Sequence, residues 1–176
     1  HQIAMQFWTK LRDHLQTGRP AYLGLVADNT DHSPGTRGAK IFVRPDATTE
    51  GTIGGGVMEG DIIRDAVAAL ENHAPDDAFS ATYQTLYHRK KAPGPKSGLA
   101  CAGTQTNVYA TLDPARDLDA VAEIARGRAA DQPGLVQIDA AGIRLSDEAT
   151  ISRDIAPVRL ITEGAWRYEE QILNWK

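Results

Sequence analysis

Three consecutive glycines, Gly54, Gly55 and Gly56, lie in the stretch GTIGGGVMEG, between a short β-branched stretch and a run with helical spacing. A backbone without Cβ atoms can adopt positive φ and approach a ligand closely, and the free N–H groups of a following helix point into the same space. Such a turn can bind a phosphate or another oxyanion. The stretch lacks the Gly-Lys-Ser/Thr that ends a Walker motif and the G-x-G-x-x-G spacing of a dinucleotide-binding motif. A tight strand-to-helix crossing, where only glycine packs, explains it equally well.

Glu59 follows these glycines in the first turn of the predicted helix. A carboxylate at this position complements the helix dipole, which is the common structural role and the one that position alone favours. Beside an anion site, the same group could instead accept or carry a proton.

The chain's single cysteine, Cys101, lies in the stretch SGLACAGTQT, among small residues and residues with hydroxyl or amide groups. Small neighbours leave the sulfur accessible, and hydrogen-bond donors lower the pKa of a thiol towards a reactive thiolate. Arg89, Lys90 and Lys91 precede it and could cover an anionic ligand, although a solvated basic run is the default explanation. A lone cysteine is also commonly a small buried hydrophobe.

Other polar residues give weaker signals. His88 could act as a base for Cys101, but the sequence signals no further member of a hydrolase triad. The five histidines show no metal-ligand spacing on a helix. Ser33, Arg37 and Lys40 offer further anion contacts, or belong to an ordinary turn.

The periodicity predicts a helix that opens the chain, a second helix after the glycines and a third over 113–130. Strands are predicted over 21–27, 39–45, 79–88 and 106–112, followed by two hairpins in the last third. This order predicts an α+β fold, with a mixed β-sheet, helices packed mainly on one face and C-terminal β-hairpins. We expect a single domain over 1–176, with its motifs in 20–112 and a helix plus hairpins in 113–176.

The composition narrows the function classes. With 176 residues, a net charge of -4 and a pI near 5.7, the chain has no electrostatic basis for binding nucleic acid or an anionic membrane. Its apolar runs are too short to span a bilayer, and one cysteine excludes an internal disulfide. We therefore expect a cytoplasmic protein.

Taken together, the segments SPGTRGAKIFV, GTIGGGVMEGDII and SGLACAGTQTNVYATL resemble, in order and spacing, the N-terminal domain of the XdhC/CoxI family. The resemblance covers about residues 20–112 and continues more loosely to WRYEEQI. Members of this family are accessory proteins, not enzymes, for molybdenum hydroxylases such as xanthine dehydrogenase and carbon monoxide dehydrogenase. They bind the molybdenum cofactor, protect it during sulfuration and deliver it to the apo-enzyme.

The resemblance implies that this chain binds the molybdenum cofactor (molybdopterin) transiently and delivers it to an apo molybdenum hydroxylase. It also implies that the chain forms a homodimer and that a cysteine desulfurase is a further partner. It assigns Cys101 as a ligand or sulfur contact to molybdenum. The other residues that it assigns to cofactor binding are Gly54, Gly55, Gly56, Glu59, Gly103, Thr104 and Gln105.

The chain departs from the family pattern at three points. Ala102 replaces a glycine that often follows the cysteine, and Val57 stands where many members have a second cysteine, so two thiols in one chain are excluded. The Gly-x-Gly-His-Val motif of the family's usual C-terminal Rossmann domain does not occur in these 176 residues, so we expect either an excised domain or a short stand-alone member. Two alternatives stay open. One is a thiol-dependent enzyme for a phosphorylated substrate, with His88 or Glu59 as base; the other is an interaction module anchored by Trp166 and Trp175.

Overall fold

The computed structural model describes residues 2–88, 103–147 and 152–172, with side chains apart from those of 2–5 and 88. The elements are α1 (Gln2–Gln16), β1 (Ala21–Asn29), β2 (Lys40–Val43), β3 (Thr49–Thr52), α2 (Gly56–Glu71), β4 (Ala81–His88), β5 (Gly103–Leu112), α3 (Pro114–Ala129), β6 (Gly134–Asp139), β7 (Gly142–Ser146), β8 (Val158–Ile161) and β9 (Arg167–Ile172).

The strands form two sheets. The first has the order β3-β2-β1-β5-β4 and the second the order β7-β6-β9-β8, and neighbouring strands in both are antiparallel. The predicted α+β class is confirmed, and so are the two C-terminal hairpins, β6–β7 and β8–β9. The strands are divided between two sheets because β6 pairs with β9 and not with a strand of the first sheet.

Strand β1 is buried on both faces, which explains its nearly continuous apolar sequence. Leu23 and Leu25 point into the larger core, which α1, α3 and the second sheet cover. Val26 points to the opposite face, where Ile62 of α2 packs. Two of the three described helices therefore lie on one face of the first sheet and α2 lies on the other.

The bounds of α1 and α3 follow from local signals. In α1, Trp8, Leu11 and Leu15 form an apolar stripe with helical spacing and are fully buried. In α3, the side chain of Asp113 accepts a hydrogen bond from the backbone N–H of Ala115 at 3.0 Å and so caps the helix.

Glu170 of β9 joins the two sheets through buried ion pairs. Its carboxylate lies 2.7 Å from the ammonium of Lys40 in β2 and also pairs with Arg128 of α3. The Tyr168 hydroxyl donates to the same carboxylate at 2.6 Å. Burial acts to raise the pKa of Glu170, but the two cations outweigh it and lower the pKa to about 2. The second sheet is thus attached to the first by charge as well as by apolar packing.

Candidate functional site

The glycine turn, residues 53–56, connects β3 to α2 through three left-handed backbone positions. The φ angles are 126° at Gly54, 70° at Gly55 and 69° at Gly56, a region that residues with a Cβ adopt at a cost. Gly55 is the N-cap of α2 and offers no side chain for capping. A Cβ added to Gly55 or Gly56 would meet no atom within 4 Å. The backbone at these two positions therefore faces open space, as a ligand-binding turn requires.

Gly54 has a different role from the next two glycines. A Cβ built on it would lie 2.7 Å from backbone atoms of Pro34 and Gly35. Gly54 therefore allows the turn to pack directly against the loop of residues 31–35. Tight packing therefore applies to Gly54, and ligand approach stays a prediction for Gly55 and Gly56.

Glu59 holds the glycine turn from the α2 side. Its Oε1 atom accepts hydrogen bonds from the Thr52 hydroxyl at 2.6 Å, the Ile53 N–H at 2.9 Å and the Gly55 N–H at 3.2 Å. The carboxylate thereby ties the turn to the start of α2, while the helix itself has no side-chain cap. This is a structural role, as its position alone favours.

The 31–35 loop also packs against the start of β5. A Cβ on Gly103 would lie 2.5 Å from the Ser33 nitrogen. Beside it, the Thr104 N–H donates to the Thr30 hydroxyl at 2.7 Å, and the Thr30 N–H donates to the Thr104 carbonyl at 2.9 Å. The structure thus brings Gly54 and Gly103 against the 31–35 loop and Thr104 against Thr30 just before it, contacts that the sequence analysis did not predict.

Gln105 of β5 connects the 31–35 loop to the glycine turn. Its side chain is fully buried. Oε1 accepts from the Gly35 N–H at 2.8 Å, and Nε2 donates to the Ile53 carbonyl at 2.8 Å and to Asn107 Oδ1 at 2.9 Å. The expected site residues in the described part of the chain therefore lie around the contact between the 31–35 loop, the glycine turn with the start of α2, and the start of β5.

A polar column continues from Gln105 along the α2 face of the first sheet, through Asn107, the buried Tyr109 and the partly buried Tyr22. The Asn107 amide donates to the Tyr109 hydroxyl at 2.9 Å, and the Tyr109 ring stacks on Tyr22 with centroids 5.9 Å apart. Burial, with Tyr109 and Asp65 nearby, raises the pKa of Tyr22 to about 12, and burial also raises the pKa of Tyr109. The column is therefore uncharged at neutral pH. The spacing of Gln105, Asn107 and Tyr109 at every second residue was the signal in the sequence.

The polar and aromatic residues with weaker signals in the sequence have partners within the protein. The Lys40 ammonium is buried against Glu170, and the Arg37 guanidinium pairs with Asp28 at 2.7 Å. The Ser33 hydroxyl donates to the Gly35 carbonyl at 2.7 Å. His88 is paired with Gly103 in the β4–β5 register. Trp166 is partly buried, with its ring centroid 5.4 Å from that of Tyr83.

Three of the predictions concern residues outside the described ranges: Cys101, the basic run Arg89–Lys91 and Trp175. Within 2–88, 103–147 and 152–172, no three side chains of His, Cys, Asp or Glu are grouped so as to hold a metal ion. Among the described helices, none has the length and apolar character needed to cross a membrane.

Comparison with known proteins finds a family model that matches part of the chain. Residues 14–82 match the model of the XdhC and CoxI family. The matched segment contains the 31–35 loop, the glycine turn and α2. No curated protein matches the chain.

The fold is similar to that of a crystal structure described as a xanthine dehydrogenase from Bacillus halodurans. The TM-score is 0.55 at 15% sequence identity, over 81% of this chain and 43% of that one. The chain therefore spans less than half the length of that protein, and at this identity the similarity shows a shared fold. The resemblance of the motif-bearing segment, residues 14–82, to the XdhC and CoxI family is therefore confirmed by the match to the family model.

Proposed function

We propose that this chain is an accessory protein for the maturation of a molybdenum hydroxylase, and that it holds the molybdenum cofactor before the apo-enzyme takes it up. The proposal is supported by the family match of the segment that carries the glycine turn. The observation that carries it is the open backbone at Gly55 and Gly56, at the N-terminus of a 16-residue helix.

The residues present fit an anionic group such as the cofactor's phosphate. The N-terminus of α2 carries partial positive charge and unpaired N–H groups. Open space lies beside Gly55 and Gly56, while Glu59 is occupied by hydrogen bonds within the turn. When bound, the cofactor would bring the molybdenum centre that the hydroxylase uses. The role of the chain is to bind and orient it, and we do not assign catalysis to these residues.

Several finer elements belong to the same proposal. Cys101 would supply a sulfur contact to molybdenum, close in the chain to Gly103 at the start of β5. Delivery after sulfuration, a cysteine desulfurase as partner, a homodimer and a cytoplasmic location are also proposed, because they accompany this role in the family.

The glycine turn can be tested with two alanine variants that carry similar backbone strain. Gly55 has φ 70° and Gly18 has φ 85°, and neither Cβ would meet an atom within 4 Å. Each substitution should cost about 1–2 kcal/mol of stability through the left-handed backbone. We expect Gly55→Ala to reduce co-elution of the cofactor, released from a molybdenum enzyme, at least about tenfold, which corresponds to about 1.4 kcal/mol of binding. Gly18→Ala should bind like the wild type. Equal binding by all three proteins would contradict the proposed site.

The thiol can be tested separately with Cys101→Ser and Cys101→Ala. A sulfur contact predicts that both variants lose cofactor while their thermal unfolding stays close to that of the wild type. Unchanged co-elution in both variants would remove the thiol from the proposed site and leave the glycine turn as its anion-binding part.

A further inference from the structure

The side-chain amide of Gln105 is bonded entirely to protein groups. Its side chain has no exposed surface, its oxygen is bonded to the Gly35 N–H, and its nitrogen is bonded to the Ile53 carbonyl and to Asn107. An amide nitrogen has two hydrogens to donate, and both have acceptors here. A ligand at the surface could reach this amide only by breaking these bonds.

The two backbone partners of Gln105 belong to different segments that meet face to face. Gly35 lies in the 31–35 loop and Ile53 begins the glycine turn. A Cβ on Gly35 would lie 2.2 Å from the Ile53 carbonyl oxygen. The loop and the turn are therefore in direct backbone contact, with one amide bonded to both.

The backbone N–H and the carbonyl of Ile53 are both hydrogen-bonded to side chains. Its N–H donates to Glu59 of α2 at 2.9 Å, and its carbonyl accepts from Gln105 of β5 at 2.8 Å. The side chain of Ile53 is also fully buried. The entrance to the glycine turn is thus held between a helix and a strand, and the open residues Gly55 and Gly56 follow it directly.

We propose that Gln105 is a positioning residue, which sets the glycine turn at its distance from the 31–35 loop and does not itself contact the bound group. The effect on a ligand passes through Ile53 to Gly55 and Gly56. We call the hydrogen bonds that join Gln105 to Gly35 and Ile53 the clamp. The inference rests on the proposed function only for its binding readout, since the clamp is a property of the free protein.

The clamp requires an amide, because it must accept on one side and donate on the other. Gln105→Glu keeps an acceptor for the Gly35 N–H but has no hydrogen for the Ile53 carbonyl, against which it places negative charge. Gln105→Leu removes both functions and leaves the Gly35 N–H and the Ile53 carbonyl buried without this partner. The two variants therefore separate the loop side of the clamp from the turn side.

Amide hydrogen exchange measured by NMR on the ligand-free protein tests the clamp. In Gln105→Leu, the Gly35, Ile53 and Gly55 amides should exchange at least about tenfold faster, the size expected when about one net hydrogen bond is lost. In Gln105→Glu, acceleration should be confined to Ile53 and Gly55. Thr106→Val is the matched control, since it removes a hydroxyl contact to Thr85 from the neighbouring strand position. Exchange in Gln105→Leu no faster than in this control would overturn the clamp.

The wild-type protein gives a measurement that needs no variant to fold. The side-chain amide protons of Gln105 should exchange far more slowly than those of Gln16, which lies exposed on α1. Equal exchange of the two side chains would overturn the inference.

Cofactor retention then separates positioning from general stability. Gln105→Leu should bind the cofactor released from a molybdenum enzyme about tenfold more weakly, which corresponds to about 1.4 kcal/mol. Asp113→Ala, a destabilised variant at the α3 N-cap, should bind like the wild type. Binding by Gln105→Leu at the wild-type level would overturn the positioning role. Failure of the wild type to retain cofactor would instead refute the proposed function, and the exchange results would still stand.

Discussion

The consecutive glycines show how different the requirements of adjacent residues can be. A Cβ on Gly54 would lie 2.7 Å from backbone atoms, whereas Gly55 and Gly56, also at positive φ, face open space. The sequence identifies the turn, because three glycines before a helical run are a strong local signal. It does not show which glycine packs, because the atoms that decide this come from Pro34 and Gly35, which are distant in sequence.

Glu59 provides a prediction at the residue scale. Glu59→Ala would leave the Thr52 hydroxyl and the Ile53 and Gly55 N–H groups without this acceptor, so we expect a loss of about 1–3 kcal/mol in the free energy of unfolding. Glu59→Gln keeps an acceptor oxygen and should lose less. Glu71→Ala, an exposed change on the same helix, is the control and should stay within about 0.5 kcal/mol of wild type. Urea unfolding measures the stability of all three variants. An equal loss in Glu59→Ala and Glu71→Ala would contradict this role of the Glu59 hydrogen bonds.

Helices α2 and α3 are joined at their ends by one buried pair. Asp113 caps α3 through Oδ2, and its Oδ1 accepts from His73 Nε2, just beyond α2, at 2.7 Å. Burial acts to raise the pKa of Asp113, but the hydrogen bond from His73 leads the groups that outweigh it and lower the pKa below its ordinary value. The ionised carboxylate is therefore the form that holds the two helices together.

Replacing this carboxylate predicts a loss at the scale of the elements. Asp113→Ala removes the cap and leaves His73 without this partner, so we expect a loss of about 1–3 kcal/mol. Asp113→Asn retains a capping oxygen and should lose less. Asp119→Ala, exposed on the same helix, is the matched control. Thermal unfolding of the three variants checks the order, and Asp113→Ala as stable as Asp119→Ala would show that the cap contributes nothing.

Local patterns also explain how much of the fold could be predicted. The apolar stripe of α1, the Asp113 cap and the turn at Gly164 are written in neighbouring residues, so these elements were predictable. The pairing of β1 with β5 and the separation of β6 to β9 into a second sheet depend on contacts between distant segments. The same limit applies at the site, where the burial of Gln105 depends on the loop that covers it.

At the scale of the whole molecule, stability should depend on acid through Glu170. Its pKa is about 2 in the folded protein and about 4.3 in an unfolded chain. Because the folded value is depressed, its contribution is present above pH ~4.3 and is lost as the pH falls towards 2.

Chemical denaturation between pH 7 and pH 2.5 checks this dependence with Glu170→Gln as the variant. The variant should be less stable at pH 7 by about 3–5 kcal/mol, because Lys40 and Arg128 stay buried without their counter-charge. Its stability should also fall less steeply with acid. Asp139→Asn is the control, since Asp139 pairs with the more exposed Arg144 and should cost at most about 1 kcal/mol. Parallel acid profiles for wild type and Glu170→Gln would contradict this assignment.

The ion pair of Lys40 with Glu170 also bears on how the chain folds as it is synthesised. Lys40 emerges from the ribosome with β1 and β2, before Glu170, which arrives only with the last described strand. Until then the first sheet has neither the second sheet on its larger core nor a carboxylate for this buried ammonium. We therefore expect the first sheet to complete its packing only after β9 has been synthesised, with its larger apolar face accessible to a chaperone until then.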